Sequence, residues 1–266
     1  MWRGLYTAAA GMVTEMNRTD TIANNLANSN TSGYKRDDAV NEEFAPMLIR
    51  RINDQNKNDV TSFKGFSLGG QAPVVGELGL GAFTQEIATD HRQGAFQTTG
   101  NPLDLAISGE GYFAVNTPQG VRYTRDGNFY RTAAGQLVTA NGQAVLNVQG
   151  QPINLPTGNN LNLQVTATGQ IYAGQQLVDQ LQLVQFNDRN AVLKQGNSLY
   201  YAQAGVQPQP ATGEVQQGML ENSNVNTVSE MVNLINNYRI YEAGSKAVTT
   251  QDTMLDKAVN DVGRLS

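Results

Sequence analysis

Leu5-Tyr6-Thr7-Ala8-Ala9-Ala10-Gly11-Met12-Val13-Thr14-Glu15-Met16-Asn17-Arg18-Thr19-Asp20-Thr21-Ile22-Ala23-Asn24-Asn25-Leu26 holds no proline and a single glycine. Leu5, Ala9, Met12, Met16, Thr19, Ala23 and Leu26 follow alternating steps of four and three residues, with Thr19 the one polar position. A helix turning every ~3.6 residues places such a series along one narrow stripe. Val13 and Ile22 widen the stripe, which predicts more than one neighbour. The helix is expected to stop between Asn28 and Gly33, where Asn, Ser, Thr and Gly cluster.

The other end of the chain repeats the pattern. Leu234, Tyr238, Tyr241, Ser245, Val248, Asp252, Leu255, Val259 and Val262 share the same spacing, with Ser245 and Asp252 as polar breaks. Thr227 or Ser229 is a suitable N-cap. Arg239 and Glu242 are spaced to pair along the helix, as are Glu242 and Lys246. A helix of about 30 residues would be ~45 Å long, more than a compact domain usually needs. Two such stripes predict a coiled-coil-like pair of terminal helices.

Proline marks what lies between. All eight prolines fall from Pro46 to Pro210, and proline breaks helix interiors. Here the apolar period becomes two. Leu103, Leu105 and Ile107 alternate with Asp104, Ala106 and Ser108, and Leu161, Leu163 and Val165, then Leu181 and Leu183, continue the series. Asp126-Gly127, Asn141-Gly142, Gln149-Gly150 and Thr168-Gly169 are turn signals. The expected class is α+β: N- and C-terminal helices around a central, mainly antiparallel β domain. The expected division is a core helix over 1–35, an extended arm or connecting β region over 36–82, the β domain over 83–218, and a C-terminal core helix with its lead-in over 219–266.

Composition removes several functions. The 266 residues carry a net charge of −5 and only 15% charged residues, and the basic pairs Lys35-Arg36 and Arg50-Arg51 are too short to grip nucleic acid. There is no cysteine, hence no disulfide and no thiolate ligand. No apolar run has the ~18 residues of a membrane helix. Leu5 to Val13 is expected to remain in the mature protein, because Thr7 and Gly11 interrupt it and its pattern continues for two further turns. Asn and Gln supply much of the polarity, and neutral amides avoid like-charge repulsion where copies pack side by side.

Candidate chemistry is thin. His91 is the only histidine, lies between Asp90 and Arg92, and is expected at the surface. It supports neither a metal site nor a nucleophile–base–acid triad. The acid pairs Asp37-Asp38 and Glu42-Glu43 have the residue type for glycoside hydrolysis but lie in polar sequence expected to be solvated. The glycine-rich stretch Gly76 to Gly81 lacks the Lys-Ser/Thr of a phosphate loop. Tyr112-Phe113 is expected in the core. No catalytic, metal or cofactor residue is assigned and no cofactor is expected.

Four blocks then stand out in order. They are Ala23-Asn24-Asn25-Leu26-Ala27-Asn28 with Asn30-Thr31-Ser32-Gly33-Tyr34-Lys35-Arg36; Leu103 to Phe113 (LDLAISGEGYF); Tyr123-Thr124-Arg125-Asp126-Gly127-Asn128-Phe129; and Gly218-Met219-Leu220-Glu221-Asn222-Ser223-Asn224-Val225-Asn226, continuing into Tyr238-Arg239-Ile240-Tyr241-Glu242 and Asp252-Thr253-Met254-Leu255. Together they resemble the flagellar basal-body rod and hook axial proteins. The length resembles the rod members. The stretch Glu42 to Phe66 resembles the added arm of the distal rod members, while Leu5-Tyr6-Thr7-Ala8 is compatible with the proximal rod paralogue.

The resemblance implies a self-assembling subunit of the flagellar shaft that transmits torque, exported unfolded and uncleaved through the flagellar export apparatus to the periplasm or cell-wall zone. The implied partners are further copies of itself in a helical polymer, other rod and hook proteins, and that apparatus, with no nucleic acid and no membrane insertion. The implied assembly interface is Leu5, Met12, Met16, Ile22, Asn24, Asn25, Leu26, Asn28, Gly33, Tyr34, Asn222, Asn224, Asn226, Leu234, Tyr238, Arg239, Tyr241, Glu242, Val248, Leu255 and Val259. Among these, Gly33 is expected at positive φ, and the three alternating Asn residues are expected on one face of an extended segment. In the free chain the terminal helices are expected to be largely disordered. Removing residues 1–30 is expected to leave a folded core unable to polymerise. The alternatives are a hook-type axial protein, a phage-tail-like tube protein or adhesin, and a secreted β-rich cell-wall hydrolase.

Overall fold

The computed structural model describes residues 2–50, 62–63, 66–67, 74–156 and 162–262. A first helix, α1, spans Trp2–Ala27, and a second, α2, spans Thr227–Lys257 with a π-helical turn at Ala258–Val262. The described residues between them are strands and turns, and the class is α+β. Leu161 and Val262, named in the two patterns, lie outside the residues whose side chains are described, as does most of the arm stretch Glu42 to Phe66.

The chain forms two compact units. The first gathers the described residues of Met1–Asp20, Ala39–Ile87 and Leu234–Ser266. In it α1 and α2 touch in opposite directions. Asn237 Nδ2 donates to the Glu15 carbonyl and to Thr19 Oγ1, both at 2.6 Å. Gly244 faces Met12 so closely that an added Cβ would lie 2.9 Å from Met12 Cγ, and Gly4 faces the Gln251 side chain. Asp37–Glu43 pairs with Ala82–Thr89, and Met47–Arg50 pairs antiparallel with Val74–Leu78. Thr14 Oγ1 donates to the Ala82 carbonyl at 2.9 Å, fixing the base of this arm on α1.

The second unit comprises Thr21–Asp38 and Ala88–Asn233. Its largest sheet has nine strands, seven of them in the order Phe129–Arg131, Leu137–Thr139, Ala144–Val145, Tyr112–Thr117, Gly120–Thr124, Leu199–Ala202, Val192–Gly196. The remaining two, Leu183–Gln185 and Gln209–Pro210, pair beside it. Leu163–Val165, Gln170–Ala173 and Gln176–Gln180 form a three-stranded sheet. Alternation puts Leu105, Ile107, Phe113, Val115, Phe129, Leu137, Ile153 and Leu181 in one core, where the Phe113 and Phe129 rings meet edge to face at 5.1 Å. Tyr112, Tyr123, Phe186 and Tyr200 form a second cluster.

Three of the four turn signals act as expected. Asn141-Gly142 closes the Leu137–Thr139/Ala144–Val145 hairpin, Thr168-Gly169 closes the next, and Gln149-Gly150 turns beneath the Leu146–Pro152 bridge. Asp126-Gly127 does not close a hairpin. Gly127 lies against the Leu105 carbonyl, where any side chain would collide, and its own carbonyl accepts from Leu105 N at 3.0 Å. It is a close-approach glycine at a crossing of chain.

Candidate functional site

The polar side chains of the second unit converge where α1 ends. Asn28 Nδ2 donates to the Asn24 carbonyl at 2.9 Å, satisfying a terminal acceptor of the helix. Gly33 then turns the chain at φ +66°, and an added Cβ would lie 2.5 Å from the backbone of Arg125 and Asp126. Only glycine meets both demands. Tyr34 turns inward, and its hydroxyl donates to Asn24 Oδ1 at 2.9 Å and Asn25 Oδ1 at 3.1 Å. Asn25, 1% exposed, brackets the backbone of Asp37 by donating to its carbonyl at 2.7 Å and accepting from its N–H at 2.9 Å.

Lys35 follows into the interior. Its ammonium donates to Glu221 Oε1 at 2.6 Å and to the Arg92 carbonyl at 2.8 Å. Glu221 also accepts from Gly94 N at 2.9 Å and from Arg125 Nη1 at 3.3 Å, while its backbone carbonyl accepts from Gly33 N at 2.7 Å. The carboxylate is thereby surrounded by donors, the condition under which a buried charge is tolerated. Burial pushes the Lys35 pKa below its ordinary value, with Glu221 opposing the shift. Arg125 closes the cluster through the Ile107 and Gly109 carbonyls, its guanidinium 5.3 Å from the centre of the Tyr112 ring.

Asn224 fastens the C-terminal side. Its Oδ1 accepts from Arg36 N at 2.7 Å, and its Nδ2 donates to the carbonyls of Asp90 and Arg92. Arg36 Nε lies 3.0 Å from buried Glu230 Oε1 in the first turns of α2. Lys194 pairs with Asp37 at 2.8 Å and lies over the Tyr34 ring. Burial lowers the Lys194 pKa and raises that of Tyr34. Residues 33–37, 90–94, 125 and 221–230 therefore meet in one knot.

His91 borders this knot. It is half-buried, not at the surface as expected, because Nδ1 meets the Tyr112 hydroxyl at 3.0 Å and its ring lies against Tyr112 and Tyr200. Burial first, then Lys35, Arg189, Lys194 and Arg125, lower its pKa to about 4. Among the described residues no group of three or more His, Asp or Glu side chains gathers to hold a metal.

The three C-terminal Asn residues do not share one face. Asn224 is in the knot, Asn222 is exposed, and Asn226 caps α2 by accepting from Ser229 N at 3.0 Å, the role expected of Thr227 or Ser229. Glu242 pairs with Lys246 at 3.0 Å and not with Arg239. Lys35, Arg125 and Glu221 stand inside the quoted motif blocks but are not among the predicted interface residues, and Glu230 lies outside those blocks. The signal available for the first three was charge inside motifs rich in amides and glycine.

The helices present the other predicted residues. On α1 the most buried side chains are Thr14, Thr21, Ile22 and Asn25. At about 100° per residue Thr14, Thr21 and Asn25 lie nearly opposite the predicted stripe and Ile22 lies to its side, and Ala9, Met16 and Ala23 of that stripe are exposed while Leu5, Met12 and Leu26 are half-buried. On α2, Leu234, Val248 and Leu255 are half-buried as the spacing suggested, with Tyr241 more open. The intervening inward positions are Asn237, Gly244, Gln251 and Ala258, each one residue before Tyr238, Ser245, Asp252 and Val259. Tyr238 and Val259 point outward, at 62% and 70% exposure, and Arg239 and Glu242 are exposed too. No helix among the described residues is long and apolar enough to cross a membrane.

Comparison with known proteins places three family profiles along the chain. "Flagella basal body rod protein" matches residues 5–35, "Flagellar hook protein FlgE/F/G D1 domain" residues 106–173, and "Flagellar basal body rod FlgEFG protein C-terminal" residues 216–261. The flagellar basal-body rod protein FlgG of Bacillus subtilis is 35% identical over 98% of this chain and 99% of its own length. The rod protein FlgF of Caulobacter vibrioides is 33% identical over the whole of both chains. The hook-basal body complex protein FlhO of Bacillus subtilis is 30% identical, again over the whole of both.

Proposed function

This chain belongs to the flagellar basal-body rod protein family, structural subunits of the basal body and not enzymes, and we propose that it builds the distal part of the rod. Support for the distal position comes from the paired strands in the arm stretch, Asp37–Glu43 with Ala82–Thr89 and Met47–Arg50 with Val74–Leu78, a surface that in this reading meets a neighbouring subunit. FlgG relatives of matching length lend further support. A hook-type role is less well supported, because relatives with rod names match from end to end.

In this reading α1 and α2 form a coiled-coil-like pair lining the inside of a helical tube. Subunits add head to tail and side to side, a heterologous contact that does not close and so gives a filament. The chain reaches the periplasm or cell-wall zone unfolded, through the export apparatus. The knot at Lys35 and Glu221 lies within the β-rich unit, beside the end of α1 and the first turns of α2.

One observation carries the assembly reading. Val228, Met231, Val232, Ile235 and Tyr238 form an outward band on α2, each at least 51% exposed, and Tyr6, Val13 and Met16 do the same on α1. Bands of this kind mark contact surfaces. Placing Glu at Met231 and Ile235 is expected to abolish rod formation and swimming while leaving the secreted chain abundant and its β-rich unit as stable as before. Normal rods from that variant would overturn the reading.

A further inference from the structure

Three residues of α2 at steps of seven, Asn237, Gly244 and Gln251, meet α1, and none of them is a large apolar residue. Asn237 is 2% exposed. Its amide nitrogen donates to the Glu15 carbonyl and to Thr19 Oγ1, both at 2.6 Å, and Thr19 Oγ1 itself donates to the Glu15 carbonyl at 2.8 Å. Two acceptors on α1 thus fix the orientation of the amide. Its oxygen is buried without a partner. A leucine there would bury more apolar area and leave nothing unsatisfied, so the amide lowers stability. Buried amides of this kind are kept in helix pairs when they distinguish one register from another.

The neighbouring sequence shows which registers are rejected. Sliding α2 by seven residues replaces Glu15 and Thr19 with Ala8 and Met12 in one direction, and with Ile22 and Leu26 in the other. Either slide puts an apolar side chain where Thr19 accepts, and moves Gly244 away from Met12.

We propose that Asn237, through Thr19 and the Glu15 carbonyl, is the positioning residue that sets the register of the α1–α2 pair. This rests on the reading that the two helices stay paired in the assembled rod. Register matters there because it decides where the outward bands of the two helices stand relative to each other on the tube.

The absence of cysteine makes register directly measurable in rods assembled from the full-length chain, expressed in a host lacking its own copy. Met12→Cys with Gly244→Cys reports the observed register, and Met12→Cys with Gln251→Cys reports a slide of seven. With Asn237 present, oxidation should close the first pair within one chain and leave the second near background. Adding Asn237→Leu should raise the second product about tenfold or more, as expected for losing two buried hydrogen bonds, with helix content kept and thermal stability not lowered. Asn237→Ala, which adds no bulk, and Thr19→Val should shift the product in the same direction. If the second product stays at background in all three variants, Asn237 does not set register. If the first pair fails to close with Asn237 present, the helix pairing itself is wrong and the inference falls with it.

Discussion

The Lys35 ammonium lies 2.6 Å from the Glu221 carboxylate across 186 residues of chain, and both side chains are 1% exposed. The pair joins the exit of α1 to the approach of α2, and Gly94, Arg92 and Arg125 complete its hydrogen bonds. The two partners are not equivalent. Lys35 keeps the Arg92 carbonyl if Glu221 is lost, but Glu221 serves three donors.

That asymmetry predicts different costs. Glu221→Leu takes the carboxylate from two buried cations and from the half-buried Gly94 N–H, and should destabilise the β-rich unit by about 3–5 kcal/mol. Lys35→Met leaves Glu221 its Arg125 and Gly94 bonds and should cost about 1–3 kcal/mol. Urea unfolding followed by circular dichroism of the free chain measures both, and equal losses would contradict the proposed geometry.

Gly33→Ala should be more damaging than an ordinary turn substitution. It places a Cβ at φ +66° and 2.5 Å from the Arg125 and Asp126 backbone. A loss of more than ~2 kcal/mol is expected, read in the same unfolding experiment. A loss below ~1 kcal/mol, the scale of an ordinary glycine replacement, would mean that the close approach does not exist.

His91 predicts a pH dependence. Its pKa is about 4 when folded against an ordinary 6.5, so the unfolded chain binds the proton first as pH falls. The stability contributed by the neutral ring is complete above pH 6.5 and drains away as pH drops toward about 4. His91→Gln should flatten the profile in that window relative to the parent chain. Parallel profiles would place the imidazole in water.

Truncation should show a sharp boundary. Removing residues 1–30 takes away Ile22 and Asn25, which are buried in the β-rich unit, so the folded core it is expected to leave should be weakened. A chain beginning at Thr21 should retain a cooperative melt and fail to polymerise. A chain beginning at Asn30 loses the Asn25 bracket on Asp37 and should melt at a lower temperature.

Particular residues show what sequence reveals. The end of α1, the positive φ of Gly33 and the hairpins at Asn141-Gly142 and Thr168-Gly169 were legible because local chemistry sets them. The α2 stripe was half legible. Leu234, Val248 and Leu255 carry an apolar signal, but Asn237, Gly244 and Gln251 face inward through hydrogen bonding and close approach, which apolar periodicity cannot register. Asp126-Gly127 looked like a hairpin because its dipeptide favours one, and a crossing chain at Leu105 decided otherwise. The partnership of Lys35 with Glu221 had no local trace, since separation along the chain hides it.

In the proposed rod the terminal helices gain their missing cover from neighbouring copies. Amide hydrogen exchange over residues 4–20 and 234–257, compared between the free chain and isolated rods, addresses this most directly. Fast exchange in the free chain and at least about hundredfold protection in rods is the predicted result, as for segments whose opening free energy rises on burial. Equal, strong protection in both states would show that the monomer already completes its own core, and would contradict the account.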